Sequence, residues 1–146
     1  MKTYFNNPTY DPAKESFYYG QTDFEASPLN RVLKTYSPGN NWVGDGVGVS
    51  KQYLFNSASD NVVKWNISAT TGSVPTYSGS YYGDGQLMKN ITTDEENSQV
   101  VEFIDKDGHV ILKKVQAVAN PINVYTDWIC TYYVYDDIGN LRFVLQ

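Results

Sequence analysis

Val100-Val101-Glu102-Phe103-Ile104-Asp105-Lys106-Asp107-Gly108-His109-Val110-Ile111-Leu112 holds two apolar runs joined by Asp-x-x-Gly. This is the chemistry of a tight hairpin. Asp at the first position accepts turn amides, and Gly takes the position where φ must be positive. The pattern returns downstream, where Asp136-Asp137-Ile138-Gly139 joins Tyr132-Tyr133-Val134-Tyr135 to Leu141-Arg142-Phe143-Val144. Asp94-Glu95-Glu96-Asn97 has the same form, with Asn replacing Gly, the next residue most at ease at positive φ. Ser27-Pro28-Leu29-Asn30 is a fourth instance, opened by Ser. A short helix with Ser27 as N-cap and Pro28 in its first turn is the other reading there. The residues after the turns also correspond: Asn30-Arg31-Val32, Gly108-His109-Val110 and Gly139-Asn140-Leu141. That favours turn plus strand.

Around these turns the alternation predicts strands at 86–93, 98–104, 109–116, 131–136 and 140–145, and less sharply at 51–56 and 61–67. Hairpins are expected at 92–116 and 131–145, with an insertion around Ala119-Asn120-Pro121. Composition agrees. Aromatics make up 15% of the chain, including 13 Tyr, and 11 Gly and 6 Pro supply turns. We expect an all-β fold of antiparallel hairpins, as one β domain over 24–146. Residues 1–23, rich in Asn, Pro and Tyr without a period, are expected as an extended arm docked by Tyr10, Phe17, Tyr18 and Tyr19. The segment 44–90 is the weakest patterned, with turns at Thr70-Thr71-Gly72-Ser73, Ser78-Gly79 and Tyr82-Gly83-Asp84-Gly85.

The 146 residues carry a net charge of −5 and only two arginines, Arg31 and Arg142, among 11 basic residues. A phosphate-tracking surface needs clustered basic side chains, so no nucleic-acid partner is expected. No apolar run approaches the ~18 residues of a membrane span, and Met1-Lys2-Thr3-Tyr4 leads into polar residues instead of a signal-peptide core.

The repeated turns and their strands resemble the tyrosine–aspartate (YD) repeat of bacterial Rhs proteins. Residues 93–110 carry the Asp turn, a strand ending in an aromatic, and a second Asp-x-x-Gly. Tyr133-Val134-Tyr135-Asp136-Asp137-Ile138-Gly139-Asn140-Leu141 is the fuller match. Phe24-Glu25-Ala26-Ser27-Pro28-Leu29-Asn30-Arg31-Val32-Leu33, Ser37-Pro38-Gly39-Asn40-Asn41-Trp42 and Thr92-Thr93-Asp94-Glu95 are similar to the uncharacterised domain that precedes the repeats in many Rhs-type surface proteins. The resemblance spans residues 15–145. Departures from the pattern are Phe103-Ile104 before the second turn, Asn97 for Gly, and His109 for Arg. The resemblance implies the start of a β-sheet that spirals into a hollow shell around a C-terminal toxin or effector. It also implies a cell-surface or extracellular setting, further Rhs repeats as partners, and continuation beyond Gln146. The apolar run Leu141-Arg142-Phe143-Val144-Leu145 is then an edge strand able to pair with a second copy.

Catalysis is not expected. His109 is the single histidine and Cys130 the single cysteine. His109 is placed at a hairpin exit, facing solvent, and Cys130 in an apolar stretch as an inert thiol. No disulfide and no cofactor is expected. No metal is expected either, because Asp105-Lys106-Asp107-Gly108 holds too few oxygen ligands for a calcium loop. Gly44-Asp45-Gly46-Val47-Gly48 lacks the Lys-Ser/Thr of a phosphate loop. Asn66-Ile67-Ser68 and Asn90-Ile91-Thr92 fit the glycosylation sequon. The alternative function is carbohydrate binding by stacking on Trp42, Trp65, Trp128, Tyr81 and Tyr82; the default for such side chains is core and cross-strand packing.

Overall fold

A computed structural model describes residues 15–68 and 70–146. Its regular structure is nearly all strand: β1 (Gln21–Phe24), β2 (Val32–Tyr36), β3 (Val49–Phe55), β4 (Val63–Asn66), β5 (Thr76–Tyr81), β6 (Met88–Thr93), β7 (Gln99–Ile104), β8 (Val110–Gln116), β9 (Trp128–Tyr135) and β10 (Leu141–Leu145). Eight strands form an antiparallel sheet in the order β1-β2-β3-β6-β7-β8-β9-β10, and β4 pairs with β5 in a second. Two compact units are present. Among the described residues, one comprises those up to Lys51 with Thr92–Asn97, the other those of Gln52–Ile91 with Ser98–Gln146.

In the first unit, β1 and β2 make the hairpin that Ser27-Pro28-Leu29-Asn30 encodes. Asn30 has φ 50° and its N–H donates to Ser27 O at 3.0 Å. The Ser27 hydroxyl accepts from Leu29 N–H and donates to Glu25 at 2.6 Å, and Arg31 grips the same carboxylate in a fork of 2.9 and 2.8 Å. The helical alternative is therefore not adopted. β1 crosses the boundary expected at residue 23, so the last residues of the expected arm form a strand; four residues are too few to show a period. Tyr10 lies outside the described residues. Phe17 is docked: its carbonyl accepts from Gly39 N–H at 2.7 Å and its ring packs on Gly44. Residues 39–44 wind into one π turn, Gly44 N–H to Gly39 O at 3.3 Å. β2 then pairs with the start of β3. Gly48 permits this approach, since a Cβ there would sit 2.3 Å from Thr35 O. The Asp94 turn closes with Asn97 at φ 66°.

In the second unit, β7, β8, β9 and β10 follow one another in both sequence and space. Alternation places Val101 and Phe103, Leu112, and Tyr132 and Val134 in the core, with Val62 and Leu87 from the segment before β6. Two buried polar groups organise that segment. Asn56 donates to Gly83 O at 2.8 Å and accepts Leu87 N–H at 2.7 Å, which closes the Gly83–Gly85 turn. Tyr132 Oη accepts Val63 N–H at 3.1 Å and meets Tyr125 Oη at 3.0 Å, and Tyr125 in turn donates to Asn61 O. This chain of hydroxyls ties the approach to β4 to β9. The insertion at 117–127 is a loop clasped by Asp127, which accepts the Ile122 and Asn123 amides at 2.7 Å each.

Candidate functional site

The β7–β8 and β9–β10 turns are built alike, bond for bond. Gly108 N–H donates to Asp105 O at 3.2 Å, and Gly139 N–H to Asp136 O at 2.9 Å. Asp105 N–H donates to His109 O and Asp136 N–H to Asn140 O. Asp105 Oδ1 accepts the Asp107 and His109 amides, and Asp136 Oδ1 those of Ile138 and Asn140. Gly108 and Gly139 have φ of 89° and 82°. Each pairing slips by one residue beside its turn, as a bulged hairpin requires. The two aspartates thus consume one oxygen each on their own backbone.

Both aspartates line a shared cleft of about 280 Å3. Asp105 Oδ2 lies 3.2 Å from His109 Nδ1. Asp136 Oδ2 accepts from Asn140 Nδ2 and Arg142 Nη1, both at 3.3 Å. The Asn140 amides and the Arg142 guanidinium hold the Asp136 carboxyl below its usual range. The His109 ring stacks on Tyr135 with centroids 4.5 Å apart and planes at 27°. His109 is therefore packed between two hairpins, not simply solvated; the partner ring is on the neighbouring hairpin, 26 residues on. Burial raises the Tyr82 and Tyr135 hydroxyl pKa values, with Asp105 adding to both.

Of the aromatic residues proposed for stacking, Trp65 and Tyr82 line this cleft. Trp65 Nε1 is buried and has no hydrogen-bond partner among the described residues. Tyr81 joins through a row of edge contacts, Tyr81 to Tyr77 at 6.4 Å and Tyr77 to Trp65 at 6.4 Å. Trp128 lines a different pocket, and Trp42 belongs to the other unit. Asp105, Asp107 and His109 each bring one ligand atom within 4.8 Å of the others, so this trio is the group with metal-ligand spacing among the described residues. The cleft lining holds no Ser, Thr, Cys or Lys. It offers carboxylates, an imidazole and ring faces, which suits hydrogen-bonding and stacking ligands.

Two groups escaped the sequence reading. Lys114 is 4% exposed, deep on the core side of β8, and Lys89 pairs with Asp60 at 2.6 Å. The signal for Lys114 lies in its phase: it follows Leu112 by two residues and so falls on the core face. Cys130 is half-buried, and burial raises its thiol pKa.

Residues 1–55 match a family described as a domain of unknown function (DUF6443). No curated protein and no solved structure matches the chain. No helix among the described residues is long and apolar enough to cross a membrane.

Proposed function

We propose that this chain is a non-catalytic structural segment of an Rhs-type surface or secreted protein, the part where a β-shell begins. The observation that carries the proposal is the identity of the two Asp-x-x-Gly turns down to the individual hydrogen bonds, with each hairpin passing its outer edge to the next from β7 to β10. A unit of this kind cannot bury both faces alone and gains by stacking on neighbours. The match of residues 1–55 to a domain of unknown function lies over the segment that the sequence resemblance sets ahead of the repeats, which supports the same assignment. The partners are further repeats of the parent protein, the setting is extracellular, and the enclosed cargo is a C-terminal toxin or effector.

β10 is an edge strand of the eight-stranded sheet, with Leu141 and Val144 half-exposed. It has Arg142 as its one charged residue, weak protection against strand addition. Light scattering on the chain should show concentration-dependent self-association, and Val144→Lys should reduce it. A strictly monomeric chain at high concentration would count against an open edge.

A second reading is favoured by one observation: Trp65 and Tyr82 share a cleft with Asp105 and Asp136. That combination of ring faces and carboxylates suits a sugar. Titration with neutral oligosaccharides, followed by tryptophan emission, separates the readings. A saturable shift lost in Tyr82→Ala would establish it.

A further inference from the structure

Lys114 presents an unusual problem in charge. The residue is buried, with 4% of its surface exposed. A buried ammonium is normally matched by a carboxylate. Lys114 takes part in none of the ion pairs among the described residues. Asp60, the carboxylate that lines the same pocket, is already engaged: Oδ1 with Lys89 at 2.6 Å and Oδ2 with Ser57 N–H at 2.8 Å. Lys114 Nζ instead donates to Val124 O at 2.8 Å and lies 4.7 Å from the Tyr125 ring centroid. It also lies 5.7 Å from the Phe103 centroid, and Lys89 Nζ is 5.6 Å from the same ring. Two ammonium groups therefore lie near one aromatic ring, and Asp60 is the one carboxylate in the lining of the pocket they share. Cys130 faces Lys114 across the strand pair and is held protonated by burial.

Both lysines line one pocket of about 220 Å3, walled by Phe103, Val124 and Trp128. Its charged lining, Asp60, Lys89 and Lys114, sums to one positive charge. An ammonium has three donors, and Val124 O uses one. The volume falls below the ~300–1,000 Å3 of pockets for drug-sized ligands, so any occupant is small. The walls are ring faces and aliphatic groups.

We propose that this pocket binds a small organic monocarboxylate, its carboxylate on the Lys114 ammonium and its apolar body against Phe103 and Trp128. The anion supplies the charge that the fold withholds from Lys114. The site is independent of the cleft between the two turns and of the shell reading.

The test is a titration of the intact chain followed by amide NMR, with benzoate, benzamide and inorganic phosphate as probes. Benzoate should give saturable shifts at the amides of residues 101–103, 114 and 122–128. Benzamide has the same ring without the charge and should bind about tenfold or more weakly, the loss of a charge-assisted hydrogen bond. Phosphate lacks the apolar body and should also bind more weakly than benzoate. Lys114→Met should keep a dispersed spectrum and lose the benzoate shifts. Should that variant unfold, the benzoate–benzamide comparison on the native chain still decides. Equal binding of benzoate and benzamide, or no saturable shift with benzoate, overturns the site. Phosphate binding as tightly as benzoate overturns the organic carboxylate as its ligand.

Discussion

The His109 imidazole lies against the backbone of Gly139, so close that a Cβ on Gly139 would fall 3.3 Å from both Cε1 and Nε2. A turn residue of one hairpin is thereby read by the turn of the next. Positive φ alone would favour glycine at position 139; the neighbouring ring adds a second, steric reason. Gly108 has the same φ requirement and nothing within 4 Å of its hypothetical Cβ.

The pair supplies its own control. Gly108→Ala should cost about 1–2 kcal/mol, the strain of a side chain in the left-handed region. Gly139→Ala should cost more, because the His109 ring must also move. In a His109→Ala background the two penalties should converge, a coupling that a double-mutant cycle in urea unfolding measures. Equal penalties in the native background would refute the contact.

His109→Ala should leave the fold intact. It removes a stack on Tyr135 and a partly exposed pair with Asp105, together on the order of 1 kcal/mol. Circular dichroism and thermal unfolding check this. Any hydrolytic activity of the purified chain should be unchanged in the variant; an activity that disappears with the imidazole would contradict the non-catalytic assignment.

Tyr132→Phe should be more costly than its single missing oxygen suggests. It strips the partner from Val63 N–H and from Tyr125 Oη inside the core. Leaving a buried donor unsatisfied costs about 1–3 kcal/mol. Urea unfolding of the variant provides the number, and a change under ~0.5 kcal/mol would show that the hydroxyl chain contributes little.

The β1–β2 turn should make stability depend on acid pH. The Arg31 fork, with Ser27, lowers the Glu25 carboxyl pKa from 4.5 to about 2. The folded value is the lower one, so the unfolded chain binds more protons in this window. The contribution is complete above 4.5 and fades as pH falls toward 2. Melting temperature should drop across that range, and the drop should be shallower in Glu25→Gln. Parallel pH curves would show that the fork contributes nothing.

The parts of this fold that could be read from sequence are those whose cause is local. An aspartate that accepts amides two to four residues on, followed by a glycine at positive φ, announces itself in four letters. The strands β6 to β10 and all four turns follow from that grammar. The organising role of Asn56 does not, because its partners Gly83 and Leu87 lie 27 and 31 residues away. The His109–Tyr135 stack is equally non-local. Of the five aromatic residues set aside for stacking, Trp65 and Tyr82 converge; side-chain type cannot tell which ones share a cleft. Lys114 was hidden by its own chemistry. Alternation assigns it to the core, but a lysine reads as exposed until the strand phase is taken literally.

The shell assignment rests on hairpins that accept one another edge to edge. The most direct measurement is thermal unfolding of the chain extended after Gln146 by a duplicate of its own residues 117–146, beside the unextended chain. If β10 is an open edge built for the next hairpin, the added hairpin will pair with it. The longer protein will then melt in one cooperative transition at a higher temperature, about 2–4 °C for each kcal/mol gained, and will self-associate less. An unchanged melting temperature, with the added residues unfolding separately, would mean that the sheet takes no further hairpin and that the chain is not the beginning of a shell.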